Sequence, residues 1–556
     1  MMNYSQTPKL LCLGITLSAS AQVAVGQNKE DKRPNILCIT CEDISPILGC
    51  YGDKVAVSPN LDRFSESAVR LTQMHTTVGV SAPSRFALMT GLYPSSAGAN
   101  YMRTMCERIK EMPAGILPYN VILPENAKCY TEYLREAGYY CTNNNKEDYQ
   151  FNVPKSAWDD SSMKAHYRNR PEGMPFYAVF NLQVTHESQT WVRTNKPLSV
   201  DPADIEVPPY YPDNDIVRHD MAVAYSNVTE MDRQFQRLVD ELEKSGEMEN
   251  TIIIWYSDNG GPLPRQKRSI YESGTHVPFM ISFPDGYRAG QTDDRLSMFV
   301  DIPATVLSLA GVKTPKHMHG QALFGEYTQS KNRKYIYAAR DRMDECYDKQ
   351  GAVSDGHLRY IRNYNPEQPN YMPVQYRTQM PLMRNLLELN AAGKLNKVQA
   401  QWFSLDRPAE ELYDDVADPH NVHNLIDDPR YKADIERLSA EFDRWIERDN
   451  QRWLLSEQQS RLLMLPDVEQ PQLEPVKIKL VGKKIKISAP EKCASIVYRI
   501  DGKGPSERGW YLYTAPIKNL KPGQRITALA TCAGYTDSET ASITFGECCK
   551  AAKFRR

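Results

Sequence analysis

The chain has 556 residues, with 67 lysines and arginines against 69 aspartates and glutamates and a formal net charge of −2. That length exceeds what one hydrophobic core organises, so several domains are expected. The balanced charge argues against a nucleic-acid binder or a polybasic membrane binder, and an anionic ligand would have to be held by a local cluster of cations. The 12 cysteines are too sparse and irregular for a disulfide scaffold. Most read as buried small hydrophobes, while Cys493 and Cys532 could pair across one small domain in an oxidising compartment.

Lys9 precedes an apolar run from Leu10 to Leu17, and Ala19-Ser20-Ala21 reads as a small-residue cleavage site. Residues 1–21 are therefore expected to be a cleaved secretory signal, which sends the protein to the periplasm or outside the cell. The run is too short to span a bilayer, and no transmembrane segment is expected elsewhere. Residues 22–33 read as a polar linker.

Pro34 leads into Asn35–Thr40, an apolar run typical of a buried strand. It ends in Glu42-Asp43, at the kind of strand end where open α/β sheets place their sites. Ser81-Ala82-Pro83-Ser84-Arg85 then opens a helix-compatible run that reaches Gly91. Proline fixes the backbone where a chain enters a helix at its first position, which puts Ser81 at or near the N-cap. Free N–H groups and the helix dipole favour negative charge there, and Arg85 presents a forked donor one turn on. The bland reading is a capping serine beside a solvated arginine.

Phe176–Val184 is strand-like and leads to His186. Met221–Ser245 has helical periodicity, and Thr251–Tyr256 is a second buried strand that ends in Ser257-Asp258-Asn259-Gly260. An isolated Asp-Asn-Gly is ordinarily a tight turn. Two polar clusters, each after a buried strand, instead offer Glu42, Asp43, Asp258 and Asn259 as hard oxygen ligands, suited to Ca²⁺ or Mg²⁺ better than to zinc. The alternation of elements predicts an α/β domain over residues 33–325. Residues 330–465 read as a smaller α+β subdomain, with strands at Tyr335–Ala338 and His357–Arg362 and a charged helical stretch over 430–465. Short alternating runs at Val476–Leu480, Lys484–Ser488, Ser495–Ile500, Trp510–Tyr513 and Ile526–Thr531 predict an appended β-sandwich over 474–546, either a structural cap or a glycan-binding module. Asn100–Arg103, His166–Arg170 and Arg340–Glu345 are either substrate contacts, through Arg103, Arg168 and Arg342, or solvated charge runs.

The segment Ser81-x-Pro83-x-Arg85, with Leu88-Met89-Thr90-Gly91 behind it, resembles the activation motif of the type I sulfatases. The resemblance runs over about residues 33–430 and is closest to the sulfamidase-like branch, through CEDISP, NNNK and DNGGPLP. It implies an alkaline-phosphatase-like mixed sheet flanked by helices. It also implies oxidation of Ser81 to formylglycine by a maturation enzyme, along the oxygen-independent route used by serine-type members. One Ca²⁺ ion is implied at Glu42, Asp43, Ser81, Asp258 and Asn259, with Glu42 departing from the usual Asp. Val-Thr-His186 resembles the family's proton-accepting histidine, and Lys267 matches the lysine that binds sulfate and the leaving oxygen. Arg265 and Arg268 read as solvated neighbours, and His276 stands where Arg is common. Lys146 aligns with a second sulfate-binding lysine, and Asp148 occupies a histidine position, which suggests a carboxylate that holds a sugar hydroxyl.

The implied reaction is release of sulfate from a sulfated carbohydrate in two steps: the hydrated formylglycine attacks sulfur, and His186 then promotes elimination. The sequence leaves open a phosphomonoesterase or phosphodiesterase of the same superfamily using unmodified Ser81, and a non-catalytic glycan-binding protein.

Overall fold

A computed structural model of the protein describes residues 33–105, 116–467 and 469–546. The expected signal and nearly all of the linker lie outside these residues. The main sheet contains β1 (Asn35–Cys41), β2 (Ala68–His75), β3 (Tyr140–Asn144), β4 (Asp160–Ser161), β5 (Phe176–Leu182), β6 (Thr251–Ser257), β7 (His276–Ser282), β8 (Thr292–Asp293) and β9 (Ser297–Met298). Its order is β4-β3-β5-β1-β6-β7-β2-β8, with β9 beside β2. The neighbours from β4 to β6 run parallel, and β7 is antiparallel to both β6 and β2. This is the mixed, helix-flanked α/β sheet expected from the sequence.

β1 is buried along its whole length because both faces of the sheet are covered. Its alternating side chains divide between two cores. Leu37, Ile39 and Cys41 meet Val228, Met231 and Phe235 of the long helix Asp215–Lys244. Ile36 and Cys38 belong to the core that contains Phe86 and Ala87 of the helix Ser81–Thr90.

That second helix begins at Ser81, with Val80 as its N-cap, so Pro83 takes the third helical position and not the first. Proline costs nothing there, because the first four helical N–H groups lack intrahelical partners. Gly91 closes the helix at φ 69°, a left-handed cap that favours glycine. Gly79 is required for a different reason: a Cβ there would lie 2.1 Å from the carbonyl oxygen of Ser269. Only glycine lets the segment bearing Lys267 lie against the entry to the Ser81 helix.

A second, antiparallel sheet has the order β10 (Ile336–Met343), β11 (Cys346–Ser354), β12 (Leu358–Asn363) and β13 (Glu410–Asp414). The helix Lys432–Asp449 packs on it through Phe442 and Trp445. β10 runs five residues beyond its predicted end. Near the C-terminus, Lys477–Val481 pairs with Lys484–Ser488, and a four-stranded sheet contains Ser495–Ile500, Tyr511–Leu512, Arg525–Thr531 and Ala541–Thr544. The two sheets share a core of Ile485, Ile487, Ile526 and Ala528, as a small sandwich does.

Polar contacts fasten this sandwich to the rest of the chain. Ser495 Oγ donates to Glu132 Oε1 (2.6 Å), and Arg135 bridges Asp159 Oδ1 (2.8 Å) and the carbonyl of Trp510 (2.6 Å). Cys532 lies in the sandwich core and the half-buried Cys493 packs against it, both as free thiols. Among the described residues, no helix is long and apolar enough to cross a membrane.

Candidate active site

β1 and β6 are adjacent and parallel, with Cys41 opposite Ser257. Their polar extensions, Glu42-Asp43 and Asp258-Asn259, therefore leave the sheet side by side. The Asp43 N–H donates to Asp258 Oδ1 (3.2 Å), and Asn259 Nδ2 donates to Asp43 Oδ1 (2.9 Å). Ser81 Oγ joins this group by donating to Asn259 Oδ1 (3.2 Å). Glu42, Asp43 and Asp258 are at most 1% exposed. Burial holds the Asp43 and Asp258 carboxyls above the ordinary carboxylate range, because Lys267 and Arg85 respectively offset it only in part. Buried hard oxygens that remain short of positive charge fit a Ca²⁺ or Mg²⁺ ion.

Each of three cations rests on a carboxylate of this group. Lys146 Nζ lies 2.7 Å from Glu42 Oε1, and Lys267 Nζ lies 2.6 Å from Asp43 Oδ2. Arg85 donates from Nε to Asp258 Oδ2 (2.9 Å) and from Nη1 to Asn181 Oδ1 (2.8 Å), and its Nη2 lies 3.5 Å from Glu42 Oε1. Burial works against the charge on Glu42, but Lys146 and Arg85 override it and hold the carboxyl at about 2. The Lys146 side chain is 18% exposed and that of Lys267 1%, so Lys146 stands at the mouth and Lys267 at the floor.

His186 Nε2 lies 3.9 Å from Glu42 Oε2, and its Nδ1 is 2.9 Å from Ser188 Oγ. Burial, followed by the Lys267 charge, lowers it to about 4. At neutral pH it is an uncharged imidazole able to accept a proton.

Behind these residues lies an ionic frame that motif reading missed. Arg268 is fully buried, not solvated: it forks onto Glu187 (2.9 and 2.7 Å) and donates from Nε to Asp344 Oδ2 (2.8 Å). The Glu187 N–H in turn donates to Asp43 Oδ2 (2.7 Å). Asn181 is also part of this frame, since it links Arg85 to Asn143 (2.9 Å), whose amide holds the Lys146 carbonyl (3.2 Å). The signal available in the sequence was adjacency alone: Glu187 follows His186, and Arg268 follows Lys267.

Other expected residues lie elsewhere. Arg265 is buried between the rings of Tyr210 and Tyr271 (4.5 and 4.7 Å), with bonds to the carbonyls of His420 and Asn421. Arg342 is fully buried and engaged by Glu457 (2.6 and 2.7 Å) and by the Met102 and Asp344 carbonyls, so it braces the fold. Arg168 pairs with Glu241 near the C-terminal end of the long helix, and the neighbouring Arg170 pairs with Glu247, which also bonds Asn35 at the start of β1. The Glu247 contact marks the opposite end of β1 from the carboxylates. His276 is engaged by Glu272 (2.8 Å) and the Thr72 carbonyl (2.8 Å). Asp148 stays exposed near Arg85, and Arg103 is part-exposed, with its Nε 3.6 Å from Asp344 Oδ1 and its guanidinium over the Tyr376 ring.

Residues 34–312 match the profile of the Sulfatase family, and residues 265–365 match that of the N-sulphoglucosamine sulphohydrolase C-terminal region. The chain is 39% identical over 554 residues to an ulvan-active sulfatase of Formosa agariphila, covering 93% of this chain and 92% of that protein. It is 22% identical to human N-sulphoglucosamine sulphohydrolase over 458 residues, covering 74% and 89%. The solved structure of a 2-O GAG sulfatase superposes with a TM-score of 0.56 at 18% identity, covering 75% and 92%, a likeness of alkaline-phosphatase-like fold alone. Matched by the family profile from β1 through β9, and by a sulfatase relative along nearly its whole length, this chain belongs to the sulfatase family.

Proposed function

We propose that the protein removes sulfate from a sulfated carbohydrate, with residue 81 as formylglycine and a calcium ion held by Glu42, Asp43, Asp258, Asn259 and residue 81. The observation that carries this is the place of Ser81 Oγ, hydrogen-bonded into the buried oxygen cluster that Arg85, Lys146 and Lys267 surround. A polysaccharide substrate is supported by the relative named as an ulvan-active sulfatase. The cation would neutralise sulfuryl oxygens, and the hydrated aldehyde would supply the nucleophile that takes the sulfuryl group.

The chain's own groups do the rest. Arg85, fixed by Asp258 and Asn181, orients side chain 81. Lys146 and Lys267 bind sulfuryl oxygens as negative charge builds, and Lys267 gives a proton to the departing oxygen. His186, uncharged, accepts the proton of the hydroxyl on residue 81 when sulfate is expelled. The carboxylate and amide donor set favours this reading over a zinc phosphoesterase. We further propose that residues 1–21 direct export, where a sulfated polysaccharide would be met.

The test is the mass of the peptide containing residue 81, from protein made in an anaerobic host with its maturation enzyme. Oxidation of the serine removes about 2 Da. Ser81→Ala is expected to abolish sulfate release with unchanged melting. An active enzyme with unmodified serine, or sulfate release by the alanine variant, would overturn the proposal.

A further inference from the structure

Apart from the oxygen cluster at the strand ends, a second set of donors converges where β2 ends and β7 begins. His75, Glu272 and His276 bring ligand atoms within 4.8 Å of one another. His75 and His276 are opposite each other in the antiparallel register, and their rings stack at 4.9 Å. His276 Nε2 lies 2.8 Å from the Thr72 carbonyl, while its Nδ1 lies 2.8 Å from Glu272 Oε1. His75 repeats the pattern: Nε2 is 3.4 Å from Gln73 Oε1, and Nδ1 faces Glu272 Oε2 at 3.9 Å. His75 is 2% exposed, and its Nδ1 has no hydrogen-bond partner.

An acceptor behind each ring places the proton on Nε2 and turns the Nδ1 lone pair inward, which is how proteins hold metal-binding histidines. The carboxylate has an outer partner too, since Arg359 donates to Glu272 Oε2 and shares its charge with Asp415 (3.1 Å). A proton on His276 alone would satisfy Glu272 but would leave the inner nitrogen of His75 unpartnered. A cation between the rings satisfies both nitrogens. Entry is available, because Glu272 and His276 line a cavity of about 360 Å³ that also touches Asp53, Tyr210 and His420.

We propose that His75, Glu272 and His276 bind a divalent ion of the zinc class, separate from the strand-end cluster. Two imidazole nitrogens with one carboxylate suit such an ion and do not suit Ca²⁺. The ion would clasp the strand leading toward Ser81 to the strand that follows the Lys267 segment. The inference does not depend on formylglycine or on sulfate release.

The test uses the full chain, stripped with a chelator and titrated with Co²⁺ and then Zn²⁺, with metal content and visible absorption as readouts. One Co²⁺ per chain is expected, displaced by Zn²⁺ and giving a nitrogen-ligated spectrum, and Asp43→Asn should leave it unchanged. His276→Gln and Glu272→Gln should each weaken binding by roughly tenfold or more. Melting of the metal-free variants shows whether they fold; if they do not, the wild-type spectrum and its persistence in Asp43→Asn decide. Failure of the wild type to take up either ion at micromolar concentration would overturn the site, as would undiminished binding by folded His276→Gln.

Discussion

Arg268 and Glu187 offer the sharpest test of how the proposed catalytic residues are held. Arg268 makes three charge-assisted hydrogen bonds, two to Glu187 and one to Asp344, with no solvent to replace any of them. Each such bond is worth about 1.5–3 kcal/mol, and breaking a buried pair from one side costs about 3–5 kcal/mol. Arg268→Met, which leaves Glu187 with only Lys267 at 3.7 Å and Asp344 with only Arg103 at 3.6 Å, is expected to lose about 4 kcal/mol. Glu187→Gln, where Arg268 keeps Asp344, should lose about 3 kcal/mol. The double variant should lose at least about 2 kcal/mol less than the sum, because it strands neither the Glu187 carboxylate nor the Arg268 charge, and only Asp344 still lacks its Arg268 bond. Urea unfolding gives the stabilities, and sulfate release gives kcat/KM, which should fall by about a hundredfold in either single variant as His186 and Lys267 lose their aim. Additivity within about 0.5 kcal/mol would refute the coupling, and single variants with full activity would refute the positioning role.

Lys146→Ala should lower kcat/KM by about 10²–10³; a loss below tenfold removes it from the sulfate-binding set. Chelation should abolish sulfate release, Ca²⁺ but not Zn²⁺ should restore it, and Asp43→Asn should resist restoration; activity that survives exhaustive chelation contradicts the cation at the strand ends. Asp341 is held up to about 7 by burial, although Lys349 lies 3.3 Å away. A carboxyl raised on folding contributes its stability below its unfolded value and loses it as pH rises through the folded one. Asp341→Asn should therefore flatten the fall in melting temperature between about pH 4 and pH 7, and parallel wild-type and variant curves would rule this out.

The strand-end carboxylates were legible because an apolar run that stops at acidic residues has one economical reading in an α/β sheet. The arginines were not. Arg268 and Glu187 are 81 residues apart, and Arg342 and Glu457 are 115 apart, so nothing local separates them from solvated charges. The same blindness shortened β10, whose Arg340, Asp341 and Arg342 look like the end of a strand until their partners Asp348, Lys349 and Glu457 fold over them. The helix at Ser81 was placed within a turn but not in register, because a proline is equally comfortable at its first and third positions. Ala541–Thr544 went unread because it is a four-residue strand at the edge of its sheet, with little apolar alternation to mark it.

In His186-Glu187 and in Lys267-Arg268 a proposed reactive group and its strut are consecutive, so a single peptide unit carries both tool and handle. These pairs would behave as indivisible cassettes in any exchange of loops between related enzymes. A graft that imports the histidine and lysine without Glu187, Arg268 and Asp344, which accepts from Arg268 Nε, would bring over those side chains with nothing to aim them. Where such chimaeras fold yet stay silent, the first repair to attempt is the strut.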